Sequence, residues 1–190
     1  MSVILASGSP RRKELLEMLG FEALKIIPAK GEESAPEGLE PGELVMALAA
    51  QKGREIKELC DGEDVIIAAD TIVWHEGGVY GKPRDEEHAK QMLRSLSGRS
   101  HQVYTGVCVI RGDEELLRYN MSEVIFRSMT EEEIEAYVAT KEPKDKAGAY
   151  GAQGKGALFV ERIVGDFFNV MGLPLCTLGE MLNRLGVKVL

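Results

Sequence analysis

Apolar positions along the chain follow two rhythms that replace one another. Short continuous runs at residues 3–6, 23–27 and 65–74 predict strands, and the last, almost unbroken, predicts one covered on both faces. Stripes at three- and four-residue spacing predict helices over about 10–19, 42–59, 85–97 and 174–185. In the second of these, Val45, Leu48, Ala49, Ile56 and Leu59 form the apolar face; in the third, Ala89, Met92, Leu93 and Leu96 do, behind an N-cap at Asp85. Residues 101–110 and 115–127 read as two long strands joined at Arg111-Gly112-Asp113-Glu114, an antiparallel hairpin. Thr130-Glu131-Glu132-Glu133 is a capping box that opens a short helix with Ile134, Tyr137 and Val138 inward. Residues 157–164 and 187–189 complete the predicted strands, so the class is α/β.

Polar residues that break these rhythms are the candidates for chemistry. Ser7-Gly8-Ser9-Pro10 joins the first strand to the first helix, with Ser9 suited to the N-cap and Pro10 to the first helical position. Arg11, Arg12 and Lys13 then occupy the first turn, where the helix dipole disfavours cations by about 0.3–1 kcal/mol each. An anion over that end would give the charges a reason, because backbone N–H groups, serine hydroxyls and guanidinium groups would converge on it. The alternative is a solvated basic end beside acidic neighbours. Lys52 falls inside the stripe of the second helix, either snorkelling out of the core or directed into a cleft beside the first loop. Asp70 interrupts the apolar run of the third strand, which is costly unless it is paired, hydrogen-bonded or metal-bound. Glu32 and Glu33 follow the second strand directly and stand apart from an otherwise solvated acidic loop. Lys82 is pinned between Gly81 and Pro83. Four glycines at 148, 151, 154 and 156 would let backbone approach a ligand closely, with the Gln153 amide among them, although many such loops are only turns. His88 reads as a surface residue, and His101 has no carboxylate or cysteine at metal-ligand spacing.

Composition narrows the partners. The 190 residues suit one domain, and 44% hydrophobic with 28% charged residues suits a globular core. A net charge of −8 argues against non-specific binding to nucleic acid or acidic membrane, so a local arginine cluster points to one small anion. Cys60, Cys108 and Cys176 lie far apart and read as reduced, mostly buried residues. The four-residue N-terminal run is too short for a signal peptide and no stretch could span a membrane, so a cytoplasmic protein is expected. Walker A, dinucleotide GxGxxG, HExxH, zinc-spaced Cys/His and GxSxG patterns are missing, so Ser7 and Ser9 read as phosphate ligands and not nucleophiles. The residues themselves point to a metal-assisted enzyme, or a binder, for a phosphorylated small molecule.

The motifs Ser7-x-Ser9-Pro10-Arg11-Arg12-x-Glu14-Leu15-Leu16, Ala69-Asp70-Thr71-Ile72-Val73, Gly81-Lys82-Pro83 and Leu96-Ser97-Gly98-x-x-His101-x-Val103-x-Thr105-Gly106-Val107 resemble the Maf family. Residues 145–154 (Asp-Lys-Ala-Gly-Ala-Tyr-Gly-x-Gln-Gly) and 165–174 extend the resemblance over essentially the whole chain. It implies a single 1–190 domain with a mixed twisted sheet, flanking helices and two lobes around a central cleft, the fold shared with inosine-triphosphate pyrophosphatases. The implied activity cleaves a nucleoside triphosphate between its α and β phosphates, with Mg²⁺ or Mn²⁺, to the monophosphate and pyrophosphate. By resemblance Asp70 is the proton acceptor, Asp70 and Glu33 sit at the metal, and Lys52 and Lys82 serve catalysis. Ser7, Ser9, Arg11 and Arg12 would bind phosphate, with Arg12, Thr71 and Gln153 associated with substrate choice. Asp70-Thr71 and Tyr150-Gly151-x-Gln153-Gly154 look like the dTTP/UTP branch rather than the 7-methyl-GTP branch, although Ala152 replaces a larger aliphatic residue. A homodimer is implied by the resemblance alone, and a nucleotide-sensing regulator of septum formation is the competing reading.

Overall fold

A computed structural model describes residues 2–21, 23–60 and 62–190. Its described elements run β1 (Val3–Leu5), α1 (Pro10–Met18), β2 (Lys25–Ile26), α2 (Pro41–Lys57), β3 (Val65–His75), β4 (Gly78–Tyr80) and α3 (Glu86–Leu96). Then follow β5 (Ser100–Arg111), β6 (Glu114–Phe126), α4 (Glu131–Ala139), a series of 3₁₀ turns between Glu142 and Phe159, β7 (Val160–Val164), α5 (Phe167–Met171) and α6 (Leu175–Arg184). The strands form one mixed sheet in the order β2-β1-β3-β5-β6-β7, with β4 paired to β3 beside this path. β2, β1 and β3 are mutually parallel, whereas β4 and β7 run antiparallel to β3 and β6. The expected α/β class with a mixed, helix-flanked sheet is therefore the observed one. No helix of the described residues is long and apolar enough to cross a membrane.

By compactness the chain divides into two units, Met1–Asp70 with Thr105–Asn120 and Gly172–Leu190, and Thr71–Tyr104 with Met121–Met171. In the first, α2 lays Ala49 and Ile56 on Ile4, Ala6, Ile66, Ala68, Cys108 and Ile110. Two glycines bring this helix unusually close to the sheet. A Cβ on Gly106 would fall 2.3 Å from the Val45 carbonyl oxygen, and one on Gly53 would touch Cys108 and Ile110. In the second, α3 and α4 bury Leu93, Leu96, Ile134 and Tyr137 with Val73, Val103, Phe126, Tyr150 and Phe159. Both helices start as their sequences predict: Asp85 accepts the His88 N–H at 2.7 Å, and Thr130 and Glu133 form the reciprocal capping box.

Several expectations need correction. Leu59 is exposed because α2 ends at Lys57, two residues before it. Residues 187–189 form no strand, and β4 was missed because three residues carry no readable alternation. Ser9 occupies the N-cap position, yet its side chain makes no cap bond; its N–H instead donates to Ser7 Oγ at 3.2 Å. Cys108 is buried, but Cys176 is exposed and Cys60 partly so, all three unpaired with one another.

Candidate active site

Three of the candidate segments lie at one end of the parallel strands β2, β1 and β3, the end where α/β proteins place ligands. Leu5 pairs with Ile67 and Ile26 in register; Ser7 comes two residues past Leu5 and Asp70 three past Ile67. The 30–34 loop leaves β2 on the same side. Placement follows from topology: Ser7 lies past the end of β1, and Asp70 lies within β3 just beyond the residues that pair with β1.

Lys52 is the hub of this group. Its Nζ lies 2.5 Å from Asp70 Oδ1 and 2.8 Å from Glu33 Oε1. Asp70 is buried, Glu33 is more than half exposed, and the ammonium between them is largely covered. Lys52 therefore meets two carboxylates of the protein, a partnership that its place in the apolar stripe did not specify. Of Glu32 and Glu33, it is Glu33 that reaches the ammonium, whereas Glu32 contributes its backbone carbonyl to Gln51.

The basic first turn of α1 splits into two behaviours. Lys13 pairs with Glu17 at 2.8 Å on the solvent side, the bland outcome. Arg12 turns inward instead: Nε donates to the Gly172 carbonyl at 2.8 Å and Nη1 to Ser7 Oγ at 3.0 Å. Burial lowers the Arg12 pKa, the Asp70 and Glu33 carboxylates oppose that, and Arg11 adds to it. A guanidinium stays charged through such shifts. Two cations, Arg12 and Lys52, and two carboxylates, Asp70 and Glu33, thus form one coupled group in the first unit, with Ser7 bonded to Arg12.

The donors also bear on a divalent ion. Among the described residues no three His, Cys, Asp or Glu side chains are grouped to hold a metal. Asp70 and Glu33, however, already converge on one positive charge. Mg²⁺ commonly takes one or two carboxylates and completes its shell with water and substrate phosphates. The pair fits an ion of that kind and not a cation caged by protein alone.

Thr71, Lys82 and Gln153 belong to the second unit. Thr71 continues β3 and is partly buried, whereas Lys82 and Gln153 are exposed on loops. Lys82 borders a depression of about 360 Å³ with Tyr80, His88, Met92 and Ser95. Its loop is tied to the glycine-rich one by the Gly148 N–H donating to the Gly81 carbonyl at 3.1 Å.

The glycines themselves act differently from the expectation. A Cβ on Gly148 would meet Val73 at 2.8 Å, one on Gly154 the Glu142 carboxylate at 2.9 Å, and one on Gly156 the Gly151 carbonyl at 2.5 Å. They admit the chain's own atoms. Glu142 is the centre of this packing, accepting from the Tyr137 hydroxyl and from the Lys155 and Gly156 N–H groups. Burial pushes its carboxyl up, but the two amides and the hydroxyl outweigh it and leave the pKa below the ordinary value. Below lies His101, fully buried, its Nε2 2.8 Å from the Tyr150 hydroxyl, with burial and then His75 driving its pKa down to about 3. His101 is a core residue.

Comparison with known proteins gives the family and the fold. Residues 2–185 match the family model described as Maf-like protein. Proteins named dTTP/UTP pyrophosphatase from Bacillus cereus (strain AH820) and Bacillus anthracis (strain CDC 684 / NRRL 3495) are each 48% identical over 187 residues, 98% of this chain and 97% of theirs. Among solved structures, a HAM1 protein from Coxiella burnetii superimposes with a TM-score of 0.56 at 18% identity, over 97% of this chain and 99% of that one, a likeness of fold. With a family model spanning nearly its full length and relatives at this identity, the chain belongs to the Maf family.

Proposed function

We propose that this chain is a nucleoside triphosphate pyrophosphatase acting on dTTP and UTP, releasing the monophosphate and pyrophosphate. The observation that carries the reading is the Lys52 ammonium shared by Asp70 and Glu33, coupled to Arg12, which bonds Ser7 past the end of β1. The substrate preference draws on the names of the relatives at 48% identity.

In the reaction, water adds in line to the α-phosphorus and the bond from that phosphorus to the bridging oxygen breaks. Pyrophosphate leaves with the electron pair. Asp70 takes the proton from the attacking water, and Lys52, 2.5 Å from its Oδ1, holds that carboxylate in place. Arg11, Arg12 and the Ser7 and Ser9 hydroxyls bind phosphate oxygens, neutralising charge that grows as the leaving group departs. Mg²⁺ or Mn²⁺ at Asp70 and Glu33 would supply acidified water and further charge neutralisation. Lys82 assists with phosphate charge, and Thr71 and Gln153 contribute to base choice; these three roles draw on motif positions. The chain acts as one domain, in the cytoplasm and as a homodimer, readings that draw on the family.

The direct test is a panel of common and modified triphosphates, 7-methyl-GTP included, with Mg²⁺ or Mn²⁺ and product identification. Pyrophosphate from dTTP and UTP is expected. Orthophosphate, a preference for 7-methyl-GTP, or binding of every nucleotide without any product would overturn the proposal.

A further inference from the structure

Glu33 stands on an exposed loop, yet it meets Lys52 at salt-bridge distance, and two neighbouring side chains of α2 explain how. The Glu55 carboxylate accepts the Lys30 N–H at 2.7 Å and the Gly31 N–H at 3.1 Å. One turn earlier, Gln51 accepts the Ser34 N–H at 3.1 Å and donates its amide to the Glu32 carbonyl at 2.8 Å. Residues four apart share one face of a helix, so the two side chains grip the loop on both sides of Glu33. Gly31 makes the grip possible, since a Cβ there would fall 2.8 Å from a Glu55 oxygen.

The chemistry of this clamp is unusual for a helix beside an acidic loop. A glutamate facing Glu32 and Glu33 would be repelled, but here its charge is met by backbone N–H groups, charge-assisted bonds roughly twice as strong as neutral ones. Ordering a flexible loop costs about 1–2 kcal/mol per residue, and these bonds offset that cost before any ligand arrives.

We infer that Gln51 and Glu55 are positioning residues of the site, holding the 30–34 loop so that Glu33 is presented to Lys52 and Asp70. The inference rests on the proposed role of Glu33 at the divalent ion. Without the clamp Glu33 keeps its chemistry but loses its place, so the ion is held less tightly while a phosphate contact such as Arg12 is untouched.

The test compares Gln51→Ala, Glu55→Ala, Glu33→Gln and the Gln51→Ala/Glu33→Gln double variant, the two clamp variants breaking separate bonds so that one suffices if the other fails to fold. Amide exchange of Lys30, Gly31 and Ser34 is followed in the protein alone, and the Mg²⁺ concentration giving half the maximal rate is measured with dTTP. Each clamp variant should speed exchange at its own amides and raise that Mg²⁺ concentration about tenfold or more, the range seen when groups orienting metal ligands are removed. Adding Gln51→Ala to Glu33→Gln should change the Mg²⁺ dependence no further. Faster exchange with unaltered Mg²⁺ dependence, or effects that add in the double variant, would overturn the clamp while leaving the Glu33 role intact. A Glu33→Gln enzyme with normal Mg²⁺ dependence would remove the Glu33 role, and the clamp's function with it.

Discussion

The stretch from Ser7 into the first turn of α1 and the one from Asp145 to Gly156 are both rich in small residues and both carry basic side chains, but they use glycine in opposite ways. In the first, Gly8 is exposed and an added Cβ would meet only Pro28, at 3.6 Å, an ordinary contact. The polar groups of that loop, Ser7, Ser9 and Arg12, sit where parallel strands end. In the second, added carbons at Gly148, Gly154 and Gly156 would strike Val73, Glu142 and Gly151, and the amides are spent on Glu142. One loop is built to receive something, the other to close on itself. A glycine reads alike in either sequence; what differs is which atoms occupy the space that the missing side chain leaves.

The largest effect that could break this contrast is at Asp70. Asp70→Asn should lower kcat at least a hundredfold, the lower end of what a general base contributes, with little change in KM. Steady-state release of pyrophosphate from dTTP measures it, and normal turnover would remove Asp70 from the chemistry. Next comes a matched pair of glycine substitutions. Gly156→Ala should cost about 1–3 kcal/mol in denaturant unfolding because the Cβ has no room beside Gly151 and Tyr137. Gly8→Ala should change stability by less than about 0.5 kcal/mol and yet raise KM for dTTP. If the two behaved alike, the distinction between an open and a closed loop would fail.

A smaller, graded effect belongs to His101. Its folded pKa, near 3, lies below the ordinary 6.5, so the unfolded chain binds the extra proton and folding is favoured above pH 6.5. That stability is lost as pH falls from 6.5 toward 3, by about 1 kcal/mol between pH 6.5 and 5.5. Unfolding curves at the two pH values, compared with a His101→Phe variant, isolate this contribution. A variant with the same slope would place the pH sensitivity elsewhere.

Elements with strong local grammar were legible in the sequence. The Asp85 cap, the Thr130 capping box, the inward stripe of α3 and the Asp70 interruption of β3 all depend on neighbours within a turn or on a pattern within one strand. The Lys52–Asp70 pair could be suspected, since a cation inside one apolar stripe and a carboxylate inside another each need a partner. What could not be read were bonds between a side chain and the backbone of a distant loop. Nothing in the spacing of Gln51 and Glu55 marks them as holders of residues 30–34, and nothing near Glu142 announces that Lys155 and Gly156 will fold onto it. Such contacts have no period, because the geometry that brings them together is set by the rest of the fold.

The near-contact of Gly106 with the Val45 carbonyl has a reach beyond packing. Lys52, Gln51 and Glu55 ride on the same helix as Val45, so its seating against β5 sets the height at which all three are offered. Ala at position 106 would add one carbon, and that carbon would lift the helix and its ammonium away from Asp70 together. Under the proposed function, the demands of the site therefore extend to position 106, which governs the placement of the lysine from a distance.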